Sequence, residues 1–474
     1  MKTYKLYAGG YFQSSKNELD VTNPYTGKVF ARVCQADKTS LEGAIKQGLL
    51  AEKELKSMPV YQKVTILNAF AKALHQNLNE LAHIITQESG KPVRYAKAEV
   101  ERASQTFSIA AEECKRIPGE YMSLDWTAVG RKKEAWVKYF PLGLVAGISP
   151  FNFPLNLAAH KIAPALAAGN PIIIKPSSKT PVSILRLAEL VHDDFLPDGA
   201  FSVLPMERKL GDKLITDERI KLLSFTGSPA VGWAMKNKAG KKRVLLELGG
   251  NAGVYVGDTA DVGLAIKRCI TGGYAYSGQV CIHVQRIFVH HKVFESFITG
   301  FVKGVEGLKV GSPDDPQTDI STMIDEDNAK RVEKWVNDAL DQGAELLHGG
   351  ERSGGYYPPT VLTGTNNKMK VCAEEVFGPV VTVESVESFD QGMDLINDSQ
   401  YGLQAGVFTN RLDEMDRAFA GLEVGGIIIN DMPTFRVDHM PYGGVKNSGF
   451  GREGVRYAIQ EMTEPRLLVK SKAD

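Results

Sequence analysis

Short β-branched runs alternate with helical segments from about residue 143 onward, and this alternation constrains the chain more than any other feature. GLVAGIS, PIIIK, FSVLP, IKLLSFTG and VLLELGG read as short apolar strands. PLNLAAHKIAPALAAG, opening at Pro154, and SILRLAELVHDDF read as helices between them. Strands and helices that alternate in this way build a parallel sheet of Rossmann type. The pattern resumes over 252–440, with VYVG, a helix over 260–277, RIFVHH, and helices over 292–307 and 326–342, which predicts a second α/β domain. A chain of 474 residues exceeds one ordinary core and divides into two or three domains.

Ahead of this region, NPYTG marks a turn, and apolar spacing of three and four predicts helix over roughly 41–115. Pro92 splits that stretch into several helices. EYMSLDW and EAWVKYF read as two strands joined by a polar turn around Gly130, either a subunit-contact arm or an ordinary edge hairpin.

Charge and cysteine content narrow the function. Hydrophobic residues are 43% and charged residues 24%, and the formal net charge is zero, so nothing favours nucleic acid or an anionic membrane. There is no apolar run of the roughly 18 residues that a membrane-crossing helix needs, and no apolar signal-peptide core in the first twenty residues; a cytoplasmic setting is expected. Five scattered cysteines, none in a CxxC pair, predict free thiols with no zinc site. His283, His290 and His291 do not suit a shared metal, because adjacent residues on a strand face opposite ways.

Six clusters carry chemical potential. In SGQVCIHV, Cys281 sits just after Gly278 and before an apolar strand, so it is a nucleophile with room for a carbonyl or else a small buried hydrophobe. In VLLELGGN, Glu247 ends a strand before Gly249 and Gly250, as a general base or a turn-flanking carboxylate. In ISPFNFPLN, the Asn152 amide can meet an oxyanion or cap the next helix. In LLSFTGSPAVG, a strand ends at Phe225-Thr226-Gly227-Ser228 and a helix opens around Gly232, so its backbone amides suit phosphate. Lys175 stands at a strand's carboxyl edge in PIIIKPSSKTP, a cofactor ribose ligand or a solvated lysine. Glu375 and Phe377 in EEVFGPV can hold a ribose and stack on nicotinamide, or simply form a turn.

Taken in order, these motifs resemble the aldehyde dehydrogenase superfamily, from NPYTGKVFARV through SPFNFP, APALAAGNPIIIKPS, FTGS, ELGG, GQVC, EEVFGPV and YGLQAGVFTN to PYGGVKNSGFGREG. The resemblance implies that fold: a Rossmann-type cofactor domain over 1–118 and 141–247, an α/β catalytic domain over 248–440, and a β oligomerisation arm from 119–140 with the 441–474 segment. It implies a homo-oligomer, dimer or tetramer, acting on a small-molecule aldehyde with NAD or NADP, without nucleic acid, membrane or metal. Cys281 then forms a thioester, Asn152 and the Cys281 amide hold the oxyanion, and Glu247 activates water. Ser149, Pro150, Lys175, Ser178, Phe225, Gly227, Ser228, Gly232, Leu248, Gly249, Glu375 and Phe377 correspond to cofactor contacts. Ser178 stands where NAD-preferring members often carry glutamate, which admits a 2′-phosphate.

KPSSKTP and FRVDHMPYGG resemble the branch holding lactaldehyde, non-phosphorylating glyceraldehyde-3-phosphate and phosphonoacetaldehyde dehydrogenases. Arg102, Leu157, His160, Val280, Ile282 and Arg436 then line the substrate site, with Arg102 and Arg436 toward an anionic tail. Val280 stands where phosphate-handling members tend to carry arginine, which favours a hydroxyaldehyde or carboxylate-bearing semialdehyde over a phosphorylated or phosphonate-bearing aldehyde. A CoA-acylating enzyme is the alternative, disfavoured by Glu247, which such enzymes typically lack.

Overall fold

The computed structural model describes residues 1–192 and 196–471. Its largest sheet has eight strands. Five neighbours within it are parallel, in the order Arg243–Glu247, Leu222–Thr226, Val145–Ile148, Ile172–Lys175 and Phe201–Val203. Antiparallel strands close both sides: Leu6–Ala8 and Tyr11–Gln13 at one, Gly449–Phe450 at the other. The inner strands are buried almost throughout, which is why they read as continuous apolar runs. The strand order reverses direction between Val145–Ile148 and Leu222–Thr226, and a crevice opens there beyond the carboxyl ends.

A second sheet of seven strands has six parallel members, Thr360–Thr363, Val380–Val386, Arg286–His290, Gly253–Val256, Gln404–Phe408 and Gly426–Ile429. Both predicted α/β sheets are thus present. The long helical stretch resolves into Lys38–Ser57, Val60–Gln76, Leu78–Ser89 and Val93–Glu113, with the last break at Gly90-Lys91-Pro92.

Three elements differ from the sequence reading. The helix assigned from Pro154 starts at Asn156, because the buried Glu99 carboxylate accepts the Leu155 and Asn156 amides at 3.0 and 3.2 Å and sets the first turn there. The helix drawn over 260–277 ends at Tyr274, since Tyr276, Ser277 and Gly278 turn left-handed, with φ of 50, 52 and 68°. The helix read through SILRLAELVHDDF spans Val182–Val191; Asp193, Asp194 and Phe195 lie outside the described residues, as do 472–474 of the C-terminal segment.

Gly119–Ser123, Lys133–Pro141 and Thr463–Ser471 form a separate antiparallel sheet, in which Thr463 pairs with Pro141 and Ser471 with Lys133. Residues 441–462 do not join it. They return to the large sheet, where Gly449 pairs with Glu247, and helix Val455–Glu461 follows. Among the described residues, no helix is long and apolar enough to cross a membrane.

Candidate active site

Among the described residues, four cysteines are buried and Cys281 is only half-buried. The left-handed run 276–278 throws the chain away from the preceding helix and turns it back toward the strand Arg286–His290, with Cys281 between. Gly278 is required in that turn, because a Cβ there would strike the Gly378 backbone. Burial pushes the Cys281 thiol up to about 11, partly offset by its contact with the Tyr442 hydroxyl at 3.0 Å; the resting group is a neutral thiol.

Asn152 lies beyond the end of strand Val145–Ile148, and its amide donates to the Gln279 carbonyl at 3.0 Å. It therefore does not cap the following helix, and the contact ties it to the Cys281 loop. The amide carries a second hydrogen for a ligand oxygen. Glu247 ends its strand fully buried, and its Oε2 has no hydrogen-bond partner. Burial, then the nearby Glu453 carboxylate, hold its carboxyl well above the usual range. Cys281, Asn152 and Glu247 line one cleft of about 460 Å³.

The same cleft is lined by Pro150, Leu157, Gly227, Ser228, Leu248, Gly249, Glu375 and Phe377. Ser228 is the N-cap of helix Pro229–Lys238. Glu375 accepts the Gly250 amide at 3.1 Å, and burial pushes it up to about 7. A Cβ at Gly249 would displace the Glu375 carboxylate. Ser149 brings a buried hydroxyl without a protein partner. An orphaned hydroxyl, exposed helix amides and a carboxylate seated over glycine fit a dinucleotide. Phe225 and Gly232 sit behind the cleft wall and pack against each other. Lys175 lies outside the lining, its stem against Gly211. Ser178 is exposed at another depression, near Lys179, which pairs with Asp325 at 3.2 Å.

The remaining predicted substrate residues gather elsewhere. Val280 and Ile282 pack with Leu403, Tyr442 and Phe153 around Cys281. Arg102, His160 and Arg436 converge on carboxylates. Arg102 and His160 both bond Asp438 at 2.7 Å, and Arg436 pairs with Glu453 at 3.1 Å. Burial lowers His160, so it is neutral, while Asp438 is held far below the carboxylate range despite burial, by His160 and Arg102. Glu453 also holds the buried Lys161 at 3.0 Å. Three cations thus face two low-lying carboxylates.

Sequence reasoning missed Tyr442, Glu453, Lys161 and Asp438, and also Asn328 and Arg331, which line the cleft from helix Glu326–Asp341. Tyr442 and Glu453 lay inside the quoted PYGGVKNSGFGREG; Arg331 and Asn328 lie in a helix that carries no motif.

Residues 11–468 match the aldehyde dehydrogenase family model. The chain is 42% identical over 470 residues to the 3-sulfolactaldehyde dehydrogenase of Priestia aryabhattai, covering 99% of this chain and 98% of that one. It is similar to the crystal structure of aldehyde dehydrogenase 21 from Physcomitrella patens in complex with the reaction product succinate, with a TM-score of 0.98, 43% identity and coverage of 99% and 98%. The glyceraldehyde-3-phosphate dehydrogenase GapN from Methanocaldococcus jannaschii complexed with NADP gives a TM-score of 0.92 at 37% identity, covering 97% and 100%. With agreement along nearly its whole length, the chain belongs to the aldehyde dehydrogenase family of NAD(P)-dependent oxidoreductases.

Proposed function

We propose that the chain oxidises a small polar aldehyde, a lactaldehyde-like hydroxyaldehyde or a short semialdehyde, to the carboxylate through a thioester on Cys281. The observation that carries this reading is the convergence of Cys281, Asn152 and Glu247 on one cleft from separate parts of the chain. Cys281 loses its proton and its sulfur bonds the aldehyde carbon; the carbonyl π pair moves to oxygen, where Asn152 and the Cys281 amide donate to it. NAD or NADP, when bound, supplies the hydride acceptor. Glu247 then takes a proton from water, whose oxygen bonds the thioester carbon; the carbon–sulfur bond breaks and the carboxylate leaves. A carboxyl raised by burial has the proton affinity this step needs once it has released its own proton to solvent through the cleft.

Glu375 and Phe377 would hold the nicotinamide half of the cofactor, Ser149, Gly227 and Ser228 the pyrophosphate side, and Lys175 with Ser178 the adenosine ribose. Because Ser178 carries no charge, NADP is admitted as well as NAD. The apolar packing around Cys281 supports a short substrate. Beyond it, Arg436 keeps a buried Nε without a partner although Glu453 holds another of its nitrogens at 3.1 Å, which supports a single carboxylate or sulfonate tail. The relatives named for sulfolactaldehyde and bound to succinate agree with that chemistry.

We further infer a homo-oligomer, dimer or tetramer, built through the three-stranded arm, which leaves Trp126 90% exposed. Unpaired cysteines support a cytoplasmic setting.

Reduced-cofactor absorbance tests the reading, with lactaldehyde, glycolaldehyde, succinate semialdehyde, glyceraldehyde-3-phosphate and an alkanal, each with NAD and NADP, without CoA. Turnover that disappears in Cys281→Ala is expected. Turnover that requires added CoA would remove Glu247 from its role.

A further inference from the structure

Tyr442 is buried, and its hydroxyl sits 3.0 Å from Cys281 Sγ. Its main chain is fixed by two bonds with Glu453: the Tyr442 amide donates at 3.0 Å and the Glu453 amide at 2.6 Å. The Arg436 guanidinium lies over the ring at 3.7 Å from its centre, and Arg436 is itself held by Glu453. Val280, Ile282 and Leu403 pack alongside. Phenylalanine would fill the same space without the hydroxyl, so packing alone does not explain a phenol aimed at the sulfur.

We propose that Tyr442 is a further catalytic residue, whose phenol O–H donates to the Cys281 sulfur and stabilises the attacking thiolate. The direction of the bond follows from chemistry. A thiol is a weak donor, and a cation over the aromatic face draws electron density from the ring and strengthens its O–H as a donor. The proton shed by the thiol leaves to solvent through the cleft, and the phenol keeps its own. As sulfur bonds the aldehyde carbon, negative charge passes to the carbonyl oxygen and the phenol's hold on sulfur weakens. When the thioester breaks, the charge returns to sulfur and the hydrogen bond re-forms. Tyr442 thus acts on both arrival and departure of the nucleophile, and this rests on the reading of Cys281 as that nucleophile.

The test is the pH dependence of Cys281 alkylation by iodoacetamide in cofactor-free enzyme, followed by mass spectrometry of the Cys281 peptide. Loss of a charge-assisted hydrogen bond in Tyr442→Phe is expected to raise the midpoint by about one to two pH units. Alkylation at neutral pH and kcat should fall about tenfold or more. Replacing Tyr442 with 3-fluorotyrosine, equal in shape and more acidic, should lower the midpoint, and it decides the matter alone where the phenylalanine variant does not fold. An unchanged or lowered midpoint in folded Tyr442→Phe, or an unchanged or raised one in the fluorotyrosine enzyme, overturns the proposal. Aldehyde oxidation that survives Cys281→Ala overturns instead the nucleophile assignment beneath it.

Discussion

Lys91→Met removes a buried ammonium that braces two catalytic loops at once. Lys91 is completely buried and pairs with Glu99, equally buried. Its amine lies 3.8 Å from the ring centre of Phe153, the neighbour of Asn152, and 4.5 Å from that of Tyr276, which opens the left-handed turn before Cys281. Methionine keeps most of the stem but leaves Glu99 as an uncompensated buried carboxylate. Breaking such a pair costs about 3–5 kcal/mol. The Leu155 and Asn156 amides still donate to Glu99 at 3.0 and 3.2 Å, which favours the lower end of that range. The double variant Lys91→Met with Glu99→Gln keeps an acceptor for both amides and buries no charge. It should recover most of the loss. Urea unfolding of the three proteins measures the energies, and hydrogen exchange at Leu155 and Asn156 reports the local opening. A single variant within about 1 kcal/mol of the parent, or a double variant no more stable than the single, would refute the argument that the pair is balanced by mutual charge.

Gly249→Ala should raise the KM for NAD(P) and leave thiol alkylation at Cys281 intact, because the new methyl displaces the Glu375 carboxylate and does not reach the sulfur; equal KM values would contradict this. Glu375 is held at about 7 against an ordinary value of 4.5, so the folded protein keeps a proton that the unfolded chain releases. Its contribution to stability is fully present below about 4.5 and lost as pH rises through about 7. Glu375→Gln should flatten that decline in thermal melts of cofactor-free enzyme, and an unaltered slope would count against it.

Much of the architecture was legible because its strands are buried on both faces and its helices separate them, a pattern that needs no tertiary knowledge. Cys281, Glu247 and Asn152 were legible for a related reason: each stands in a short motif near a strand, with glycine or an aromatic close by in sequence. What the sequence concealed depends on contacts across long separations. Helix Asn156–Ala168 starts two residues late because a carboxylate 56 positions upstream claims the Leu155 amide. Lys161 and Glu453 meet across 292 residues, and an apolar helix around Lys161 does not show which acid it will meet. Arg102 and Arg436 also pair with Asp438 and Glu453, and a single sequence does not reveal which acids lie opposite which bases. Arg331 faces the cleft from a helix whose pattern records only burial.

The return of residues 441–462 to the edge of the large sheet also sets an order of assembly. Glu247 and Cys281 leave the ribosome long before Arg436, Tyr442, Gly449 and Glu453, which seat them. A nascent chain halted near residue 430 holds a nucleophile and a base but neither the strand that fastens Glu247 nor the phenol beside Cys281. The centre is completed only once residue 453 has been made, so chains cut short before it carry its reactive groups without the surroundings that set their chemistry.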